Sequence, residues 1–206
     1  MTLIKICGIT NKTDAMDACA LGVDMLGFIF YKASKRFVDA NTAGRIIGEL
    51  TEEVRKVGVF VNEDSRDRVR EIAREAGLDT LQFHGDETPE YCSEFKGDYK
   101  VIKAFRLSGR EDLKTVNSYD TDLYLLDTYR PDVYGGTGGT FDWSILKDFE
   151  FLKPVILSGG LDPGNVGRAM SEVVPYGVDV SSGVEKSPGK KDPELLRRFV
   201  REVRKA

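Results

Sequence analysis

Leu3-Ile4-Lys5-Ile6-Cys7 opens the chain as an apolar run and is followed by the turn Gly8-Ile9-Thr10. In a strand, alternate side chains share a face, so Lys5 and Cys7 point the same way. A thiol at the carboxyl end of a strand, just before a helix, lies where α/β enzymes place reactive groups. For a cysteine taken alone, a buried side chain that acts as a small apolar residue is the commoner alternative.

Similar apolar runs recur along the chain and alternate with helical patterns. Eight runs predict strands, over residues 3–7, 24–30, 56–61, 80–84, 100–105, 123–127, 154–158 and 177–181. Helices are predicted over residues 11–21, 42–50, 65–76, 88–95, 110–117, near Trp143, and over 165–173 and 192–205. Near-continuous apolar strands are typical of parallel sheets buried on both faces, and helices between them give right-handed crossovers.

The repeated strand–helix unit decides the predicted fold. Eight such units within 206 residues predict an α/β protein with a single-domain (β/α)8 TIM barrel over residues 1–206. The main alternative is an open doubly wound sheet, which normally carries a GxGxxG turn after its first strand. Cys7-Gly8-Ile9-Thr10 does not have that pattern.

The composition is typical of a soluble globular protein. Hydrophobic residues make up 41% and charged residues 31%, and the formal net charge of -4 argues against a nucleic-acid partner. The start has no signal-peptide pattern, and the longest apolar stretch is too short to cross a bilayer. The three cysteines show no CxxC spacing, which fits a reducing compartment. We therefore expect a cytoplasmic protein with no membrane partner.

Residues that could take part in catalysis or binding follow the predicted strands. They are Cys7, Ser34-Lys35-Arg36, Asn62, His84-Gly85, Arg106, Asp127, Ser158-Gly159-Gly160 and Ser181-Ser182-Gly183. In a (β/α)8 barrel, the carboxyl ends of the strands and the loops after them form the active site. We therefore expect these residues to share one face of the barrel.

Two small-residue loops follow strands seven and eight. Gly159-Gly160 and Ser181-Ser182 lie where such barrels commonly bind a phosphate through backbone N–H groups. Glycine lets the backbone approach an anion closely. One such loop is most often only a turn, but two at adjacent strands favour a phosphate site.

Cys7 and Asp127 are candidates for a base and an acid. They end strands one and six, so they could act on one small substrate from two sides. A cysteine acts as a base only if its pKa is lowered, and Lys5, helix N-termini and bound ligand dipoles are the available means. Asp127 could instead cap a helix or pair with Lys103 or Arg130.

Arg36 and His84 are less distinctive. Arg36 could hold a carboxylate or phosphate in a bidentate manner, or be a solvated loop cation. His84 ends strand four, where a hydrogen-bonded structural role competes with a catalytic one. With a single histidine and no carboxylate cluster, the sequence does not support a metal site.

A glycine-rich segment separates strand six from the helix near Trp143. It reads Tyr134-Gly135-Gly136-Thr137-Gly138-Gly139-Thr140-Phe141-Asp142-Trp143. Two interpretations are a flexible lid over the barrel mouth and a disordered connector. Its aromatic–acid–aromatic end favours an ordered loop.

Taken together, the motifs identify a family. They are Lys5-Ile6-Cys7-Gly8-Ile9-Thr10, Ser34-Lys35-Arg36, Val59-Phe60-Val61-Asn62, Leu81-Gln82-Phe83-His84-Gly85, Leu125-Leu126-Asp127, Gly135-Gly136-Thr137-Gly138, Phe141-Asp142-Trp143, Leu157-Ser158-Gly159-Gly160-Leu161, Asp179-Val180-Ser181-Ser182-Gly183-Val184-Glu185 and Pro188-Gly189-Lys190-Lys191-Asp192. From residue 3 to the last helix, the chain resembles phosphoribosylanthranilate isomerase of the tryptophan pathway. It departs slightly, with Phe83 where leucine is more usual and Lys35 where proline is common.

The resemblance implies an Amadori rearrangement of N-(5-phosphoribosyl)anthranilate, without metal or organic cofactor. It implies that Asp127 is the general acid and Cys7 the general base. Arg36 would hold the anthranilate carboxylate, and the two small-residue loops would hold the phosphate. We expect the substrate-binding residues to be Lys5, Arg36, His84, Gly159, Gly160, Asp179, Ser181 and Ser182. The protein would be a monomer or a homodimer.

Other readings stay open at the sequence level. One is an isomerase or synthase for another phosphosugar. The histidine-pathway isomerase resembles a two-aspartate site, whereas strand one here ends in Cys7. Indole-glycerol-phosphate synthase needs a mouth rich in lysine and glutamate. The other reading is a non-catalytic barrel that binds a phosphorylated metabolite, which would not need both Cys7 and Asp127.

Overall fold

Eight parallel strands close into a barrel in chain order, as predicted. The structure is a computed structural model that describes residues 1–128 and 143–206. β1 pairs with both β2 and β8, so the ring is closed. The strands are β1 (Leu3–Cys7), β2 (Met25–Ile29), β3 (Arg55–Phe60), β4 (Thr80–Phe83), β5 (Lys100–Leu107), β6 (Leu123–Thr128), β7 (Val155–Ser158) and β8 (Gly177–Val180).

Helices connect the strands around the outside of the barrel. The α-helices are α1 (Lys12–Ala20), α2 (Ala40–Ile47), α3 (Arg66–Ala76), α4 (Pro89–Ser93), α5 (Val166–Val173) and α6 (Pro193–Lys205). Three 3-10 helices cover Arg110–Ser118, Trp143–Leu146 and Ser182–Val184. Residues 134–142 of the glycine-rich segment, and Arg130, lie outside the described residues, so the two interpretations of that segment stay predictions.

Three helix predictions need correction. The second helix begins at Ala40 and not at residue 42, because the Asp39 carboxylate accepts a hydrogen bond from the Thr42 N–H at 2.7 Å and caps it. The connections at 110–118 and 143–146 are 3-10 helices, although α-helical character was expected. The first carries the β-branched residues Thr115 and Val116, and Asp112 and Ser118 hydrogen-bond locally to the backbone, all of which weakens an α-helix.

The apolar core has two layers. One fills the barrel interior, and its buried residues are Met25, Val57, Ile102, Ala104, Leu123, Leu125 and Ile156. The other lies between the barrel wall and the helices, and it includes Ile4, Ile6, Phe28, Phe83, Leu126 and Phe199. This division follows the alternation of side chains along each strand. On β1, Ile4 and Ile6 face the helices, so Lys5 and Cys7 both face the interior; the prediction that these two side chains share a face is confirmed.

A short hairpin after β8 was not predicted. It consists of β9 (Glu185–Ser187) and β10 (Lys190–Lys191), joined by a turn in which Gly189 has φ of 76°. Glycine reaches this left-handed region without steric cost. The Thr10 hydroxyl donates to the Gly189 carbonyl, which ties the hairpin to the loop after β1. The hairpin is therefore held beside the loop after β1.

Within the described residues, none of the helices is both long and apolar enough to span a membrane.

Candidate active site

One cavity of about 220 Å³ lies at the carboxyl ends of the strands. Of the predicted catalytic and substrate-binding residues, all except Lys5 line it. Other residues that follow the strands do not line it: Ser34, Lys35, Asn62, Gly85, Arg106 and Gly183. The lining residues are Cys7, Ile29, Arg36, Val59, Gln82, His84, Asp127, Ser158, Gly159, Gly160, Leu161, Asp179, Val180, Ser181 and Ser182. The barrel therefore brings together side chains and loops from seven different strand ends.

Lys5 lies beneath this cavity and is tied to Asp179. The Lys5 Nζ donates to Asp179 Oδ1 at 2.9 Å, and the Ser158 hydroxyl donates to Asp179 Oδ2 at 3.0 Å. Burial lowers the pKa of Lys5, but the Asp179 carboxylate and the Cys7 side chain outweigh it, so the net pKa is raised. Lys5 therefore remains an ammonium. Its hydrogen bond to Asp179 makes it a support under the site, and its assignment as a substrate-binding residue stays a prediction.

Cys7 ends β1 with its side chain in the cavity, and it is 6% exposed. Gly27 on β2 provides the room, because a Cβ there would lie 2.8 Å from the Cys7 Sγ. Burial raises the pKa of Cys7, and the positive charges of Lys5 and Lys191 counter only part of this effect. A cysteine that acts as a base needs a lowered pKa, and the residues around Cys7 do not by themselves provide it.

Asp127 belongs to a chain of hydrogen bonds that crosses from β6 to β4. Asp127 Oδ2 lies 3.1 Å from His84 Nε2, and His84 Nδ1 lies 2.9 Å from Gln82 Nε2. The directions of both hydrogen bonds depend on the tautomer of His84: with this orientation of the Gln82 amide, Nδ1 accepts from Gln82 and Nε2 carries the proton and donates to Asp127. Gln82 is buried inside the barrel, so it fixes the imidazole from below.

This network of hydrogen bonds excludes one alternative role for Asp127, an ion pair with Lys103. Lys103, a possible partner, instead donates to Glu87 Oε2 at 2.9 Å and to the Gly85 carbonyl at 2.7 Å. Within residues 1–128 and 143–206, His84 is the partner of the Asp127 carboxylate. The Asp127 side chain remains partly exposed at the barrel mouth.

The loops after β7 and β8 contact each other. Gly159 and Gly160 have φ values of 88° and 65°, so both lie in the left-handed region. A Cβ on Gly183 would lie 1.9 Å from the Leu161 carbonyl oxygen. The Ser181 hydroxyl is buried and has no hydrogen-bond partner among the described residues. This corner can therefore accept an anion through backbone N–H groups and one hydroxyl.

Arg36 reaches over the end of β1 from the loop after β2. Its Nε donates to Glu185 Oε1 at 2.9 Å, and its Nη2 donates to Glu185 Oε2 at 2.6 Å. These hydrogen bonds raise the pKa of Arg36. A Cβ on Gly8 would lie 2.6 Å from the Arg36 Cδ, so glycine there lets the side chain lie close to the backbone. The bidentate pair occupies one edge of the guanidinium, and the Nη1 edge remains for a ligand.

A comparison with sequence families decides the relationship of this chain to known proteins. The sequence model described as N-(5'phosphoribosyl)anthranilate (PRA) isomerase matches residues 4–202. The chain belongs to this family. The match extends across the barrel and confirms the resemblance carried by the motifs.

Individual relatives agree over their whole length. The N-(5'-phosphoribosyl)anthranilate isomerase of Citrifermentans bemidjiense is 47% identical over 205 residues, which cover 100% of this chain and 98% of the relative. The crystal structure of phosphoribosyl anthranilate isomerase from Thermotoga maritima gives a TM-score of 0.90 at 40% identity, with 100% of both chains covered. Another phosphoribosyl anthranilate isomerase, in complex with reduced 1-(o-carboxyphenylamino)-1-deoxyribulose 5-phosphate, gives 0.87 at 38% identity, with the same coverage.

Three site residues of this family member were missed by the sequence analysis. Gln82 is buried beside His84, and Glu185 and Lys191 are buried under Arg36. Gln82 could have been found as a polar residue inside an apolar strand. Glu185 and Lys191 lie in motifs that were recognised, but their roles depend on a hairpin that residue periodicity does not predict.

Proposed function

We propose that this chain isomerises N-(5'-phosphoribosyl)anthranilate to 1-(2-carboxyphenylamino)-1-deoxyribulose 5-phosphate in L-tryptophan biosynthesis. One observation carries the proposal: Cys7 and Asp127 line a single cavity whose glycine-rich corner lies between their strands. β6 and β1 are separated in the ring by β7 and β8, the strands that carry this corner. The acid, Asp127, and the base, Cys7, therefore approach the sugar from opposite sides of the site that binds its phosphate.

The first step opens the ribose ring. Asp127 donates a proton to the ring oxygen, the C1–O bond breaks, and the anthranilate nitrogen supplies the electron pair of the new C=N bond. His84 holds the Asp127 carboxyl group at the barrel mouth, and Gln82 holds His84. Ring opening, the first step of this reaction, requires a carboxyl group held in place to protonate the substrate.

The second step removes the C2 proton. Cys7, as the thiolate, takes this proton, the C–H electrons form a C1=C2 bond, and the iminium nitrogen recovers its electron pair. The resulting enaminol becomes the ketone when C1 takes up a proton and the hydroxyl on C2 loses its own as the C=O bond forms. The Lys5 ammonium beneath Cys7 stabilises the thiolate that this step consumes. Acid and base together complete the rearrangement, so we infer that no cofactor takes part. The reaction is an intramolecular oxidation and reduction, from aldose to ketose.

The anionic ends of the substrate give it one orientation. The phosphate is held by the Gly159-Gly160 and Ser181-Ser182 loops, where glycine backbone and the Ser181 hydroxyl meet. The anthranilate carboxylate is held by the Nη1 edge of Arg36, opposite the Glu185 pair. Lys5 and Asp179 support the floor between these two anchors.

The protein acts in the cytoplasm.

The test is a fluorescence assay with freshly generated phosphoribosylanthranilate. We expect turnover by the unchanged chain and a loss of about 10²- to 10⁴-fold in both Cys7→Ala and Asp127→Asn, the size typical of a lost acid or base. Cys19→Ala and Asp98→Asn are matched controls, since neither residue lines the cavity. Full activity in either site variant would remove the role assigned to that residue. A folded protein without turnover would favour the non-catalytic barrel.

A further inference from the structure

Lys191 is a buried lysine at the rim of the site that the reaction does not use directly. It is 1% exposed. Its Nζ donates to the Cys7 carbonyl at 2.5 Å, to the Glu185 Oε1 at 2.9 Å and to the Ser181 carbonyl at 3.2 Å. An ammonium has three N–H groups, so these three acceptors use all of them.

The acceptors identify what Lys191 holds. Cys7 ends β1 and carries the thiol, and Ser181 follows β8 in the loop assigned to the phosphate. The backbone N–H of Lys191 also donates to Asp14 Oδ2 in α1, at 2.7 Å. A buried ammonium is unfavourable unless it is paired and hydrogen-bonded. Burial lowers the pKa of Lys191, and the Glu185 carboxylate and the hydrogen bond to it counter part of this effect. One side chain from the hairpin therefore joins two strand ends of the site.

Glu185 extends this link to Arg36. Its carboxylate accepts from Lys191 on one side and holds Arg36 in a bidentate manner on the other. The Glu185 side chain is 3% exposed, so water competes little for it. The thiol and the guanidinium, which come from β1 and the loop after β2, are thus held by the same hairpin.

We propose that Lys191, acting with Glu185, is a positioning residue that holds Cys7 and Arg36 over the cavity and places a positive charge beside the thiol. This inference rests on the proposed function, because Cys7 acts as the base and Arg36 as the carboxylate anchor only there. Lys191 itself contacts neither the cavity nor the substrate.

The sign of the electrostatic effect follows from the groups around Cys7. They are Lys5 on its own strand, Asp179 on β8, Arg36 in the loop after β2, and the Lys191–Glu185 pair. The Lys191 ammonium lowers the pKa of Cys7. Neutralising Lys191 therefore raises the pKa of the thiol. Neutralising Glu185 lowers it or leaves it unchanged, since this change removes a negative charge.

The experiment measures the thiol directly. The ultraviolet absorbance of the Cys7 thiolate is titrated with pH, taken as the difference between each full-length protein and the same protein with Cys7→Ser. We expect Lys191→Met to shift the midpoint upward by ~1 pH unit, the effect of losing one nearby charge. Lys191→Arg keeps the charge and leaves the midpoint unchanged. Lys190→Met, one residue earlier and exposed, is the matched control.

Steady-state kinetics supply the second readout. For Glu185→Gln we expect KM to rise about 10-fold with kcat within about 2-fold, because Arg36 loses its bidentate partner while the base keeps its cation. For Lys191→Met we expect KM to rise and kcat to fall. A purely structural role would move the thiolate midpoint in the same direction in both variants, whereas the proposal requires opposite directions or no change in Glu185→Gln.

The outcomes separate this inference from the proposed function. An unchanged thiolate midpoint in folded Lys191→Met, with kinetics like those of Lys190→Met, would overturn the inference. If Lys191→Met does not fold, Glu185→Gln decides through KM, and an unchanged KM overturns the link to Arg36. A shifted midpoint in a protein whose unchanged form does not turn over phosphoribosylanthranilate would overturn the proposed function and keep the electrostatic role of Lys191.

Discussion

At the scale of single residues, Cys7 is subject to opposing effects. Its burial disfavours the thiolate, while Lys5 and Lys191 favour it, and burial prevails, so the pKa of the thiol is raised. A buried thiol is also protected from solvent, so its reactivity is reserved for a ligand in the cavity. The position of Cys7 therefore suits a base that acts only when substrate is bound.

This balance predicts the pH dependence of catalysis. The general acid must carry a proton while the base must not, so the thiol is best followed where position 127 no longer titrates. Because the base is the deprotonated form and the pKa of the thiol is raised, the residual kcat/KM of Asp127→Asn should increase with pH, by about tenfold per pH unit well below that pKa. The measurement is a kcat/KM profile of Asp127→Asn from about pH 6 to pH 9, within the range where cysteine titrates. A profile that is flat over this range would contradict a thiol base with a raised pKa.

Gly183 is a second residue on which the site depends. An alanine Cβ there would overlap the Leu161 carbonyl, so the loops after β7 and β8 would have to separate. We expect Gly183→Ala to lower kcat/KM on the order of 10²-fold, as misplaced binding groups do. Gly167→Ala in α5 is the control. Its Cβ meets no atom within 4 Å, and alanine favours helix, so activity and stability should be retained. Normal activity in Gly183→Ala would show that the loop contact is dispensable.

At the scale of elements, a buried ion pair holds the turn after β4. The Lys103 ammonium on β5 donates to Glu87 and to the Gly85 carbonyl, and Glu87 accepts from the N–H groups of Asn62 and Gly85. Asn62 itself has φ of 50°, a strained value for a residue with a side chain. The pair thus joins β3, β4 and β5 immediately below His84.

Breaking this pair should destabilise the protein strongly. Lys103→Met leaves the Glu87 carboxylate buried without its cation, and we expect a loss of about 3–5 kcal/mol in the free energy of unfolding. The measurement is urea denaturation followed by circular dichroism. Glu71→Gln is the control, because Arg68 and Glu71 form an exposed pair on α3 and its loss should leave the midpoint unchanged. Equal midpoints for the two variants would contradict a structural role for the buried pair.

At the scale of the whole molecule, α6 secures the closed barrel. The Arg204 guanidinium donates to the carbonyls of Thr2 and Gly22, at 3.1 and 2.9 Å, so the last helix is tied to the first strand and to the turn before β2. Its buried face includes Leu196, Phe199 and Val203. Because the ring of strands has no edge, this packing supports all eight strands together.

Removal of one α6 side chain should therefore weaken the entire barrel. Phe199→Ala deletes a fully buried ring, and we expect a loss of about 3–5 kcal/mol in the free energy of unfolding. Urea curves from circular dichroism and from isomerase activity should shift together, since one core supports both. Arg198→Ala, on the exposed face of the same helix, should leave both curves in place. Loss of activity well before loss of ellipticity would indicate that the site unfolds separately.

The strands were predicted closely because each is buried on both faces. The predicted run 3–7 coincides with β1, and most other runs differ from the observed strands by one or two residues at an end. Helix limits were less accurate, because they depend on caps such as Asp39. The hairpin of Glu185 and Lys191 was missed, because its two short strands have no periodicity to detect.

The amino-acid sequence by itself determined the alternating fold, the order of the strands and the set of residues at their carboxyl ends. The local hydrophobic pattern is enough to predict these features, because residues close together in the sequence produce that pattern. Only the tertiary structure decided which of these side chains meet a partner. It placed Lys5 on Asp179, His84 on Asp127, and Arg36 on Glu185, residues separated by many positions along the chain. Such contacts depend on barrel closure, which brings together strand ends that are far apart in the sequence. A local sequence pattern holds no information on which distant residues will meet.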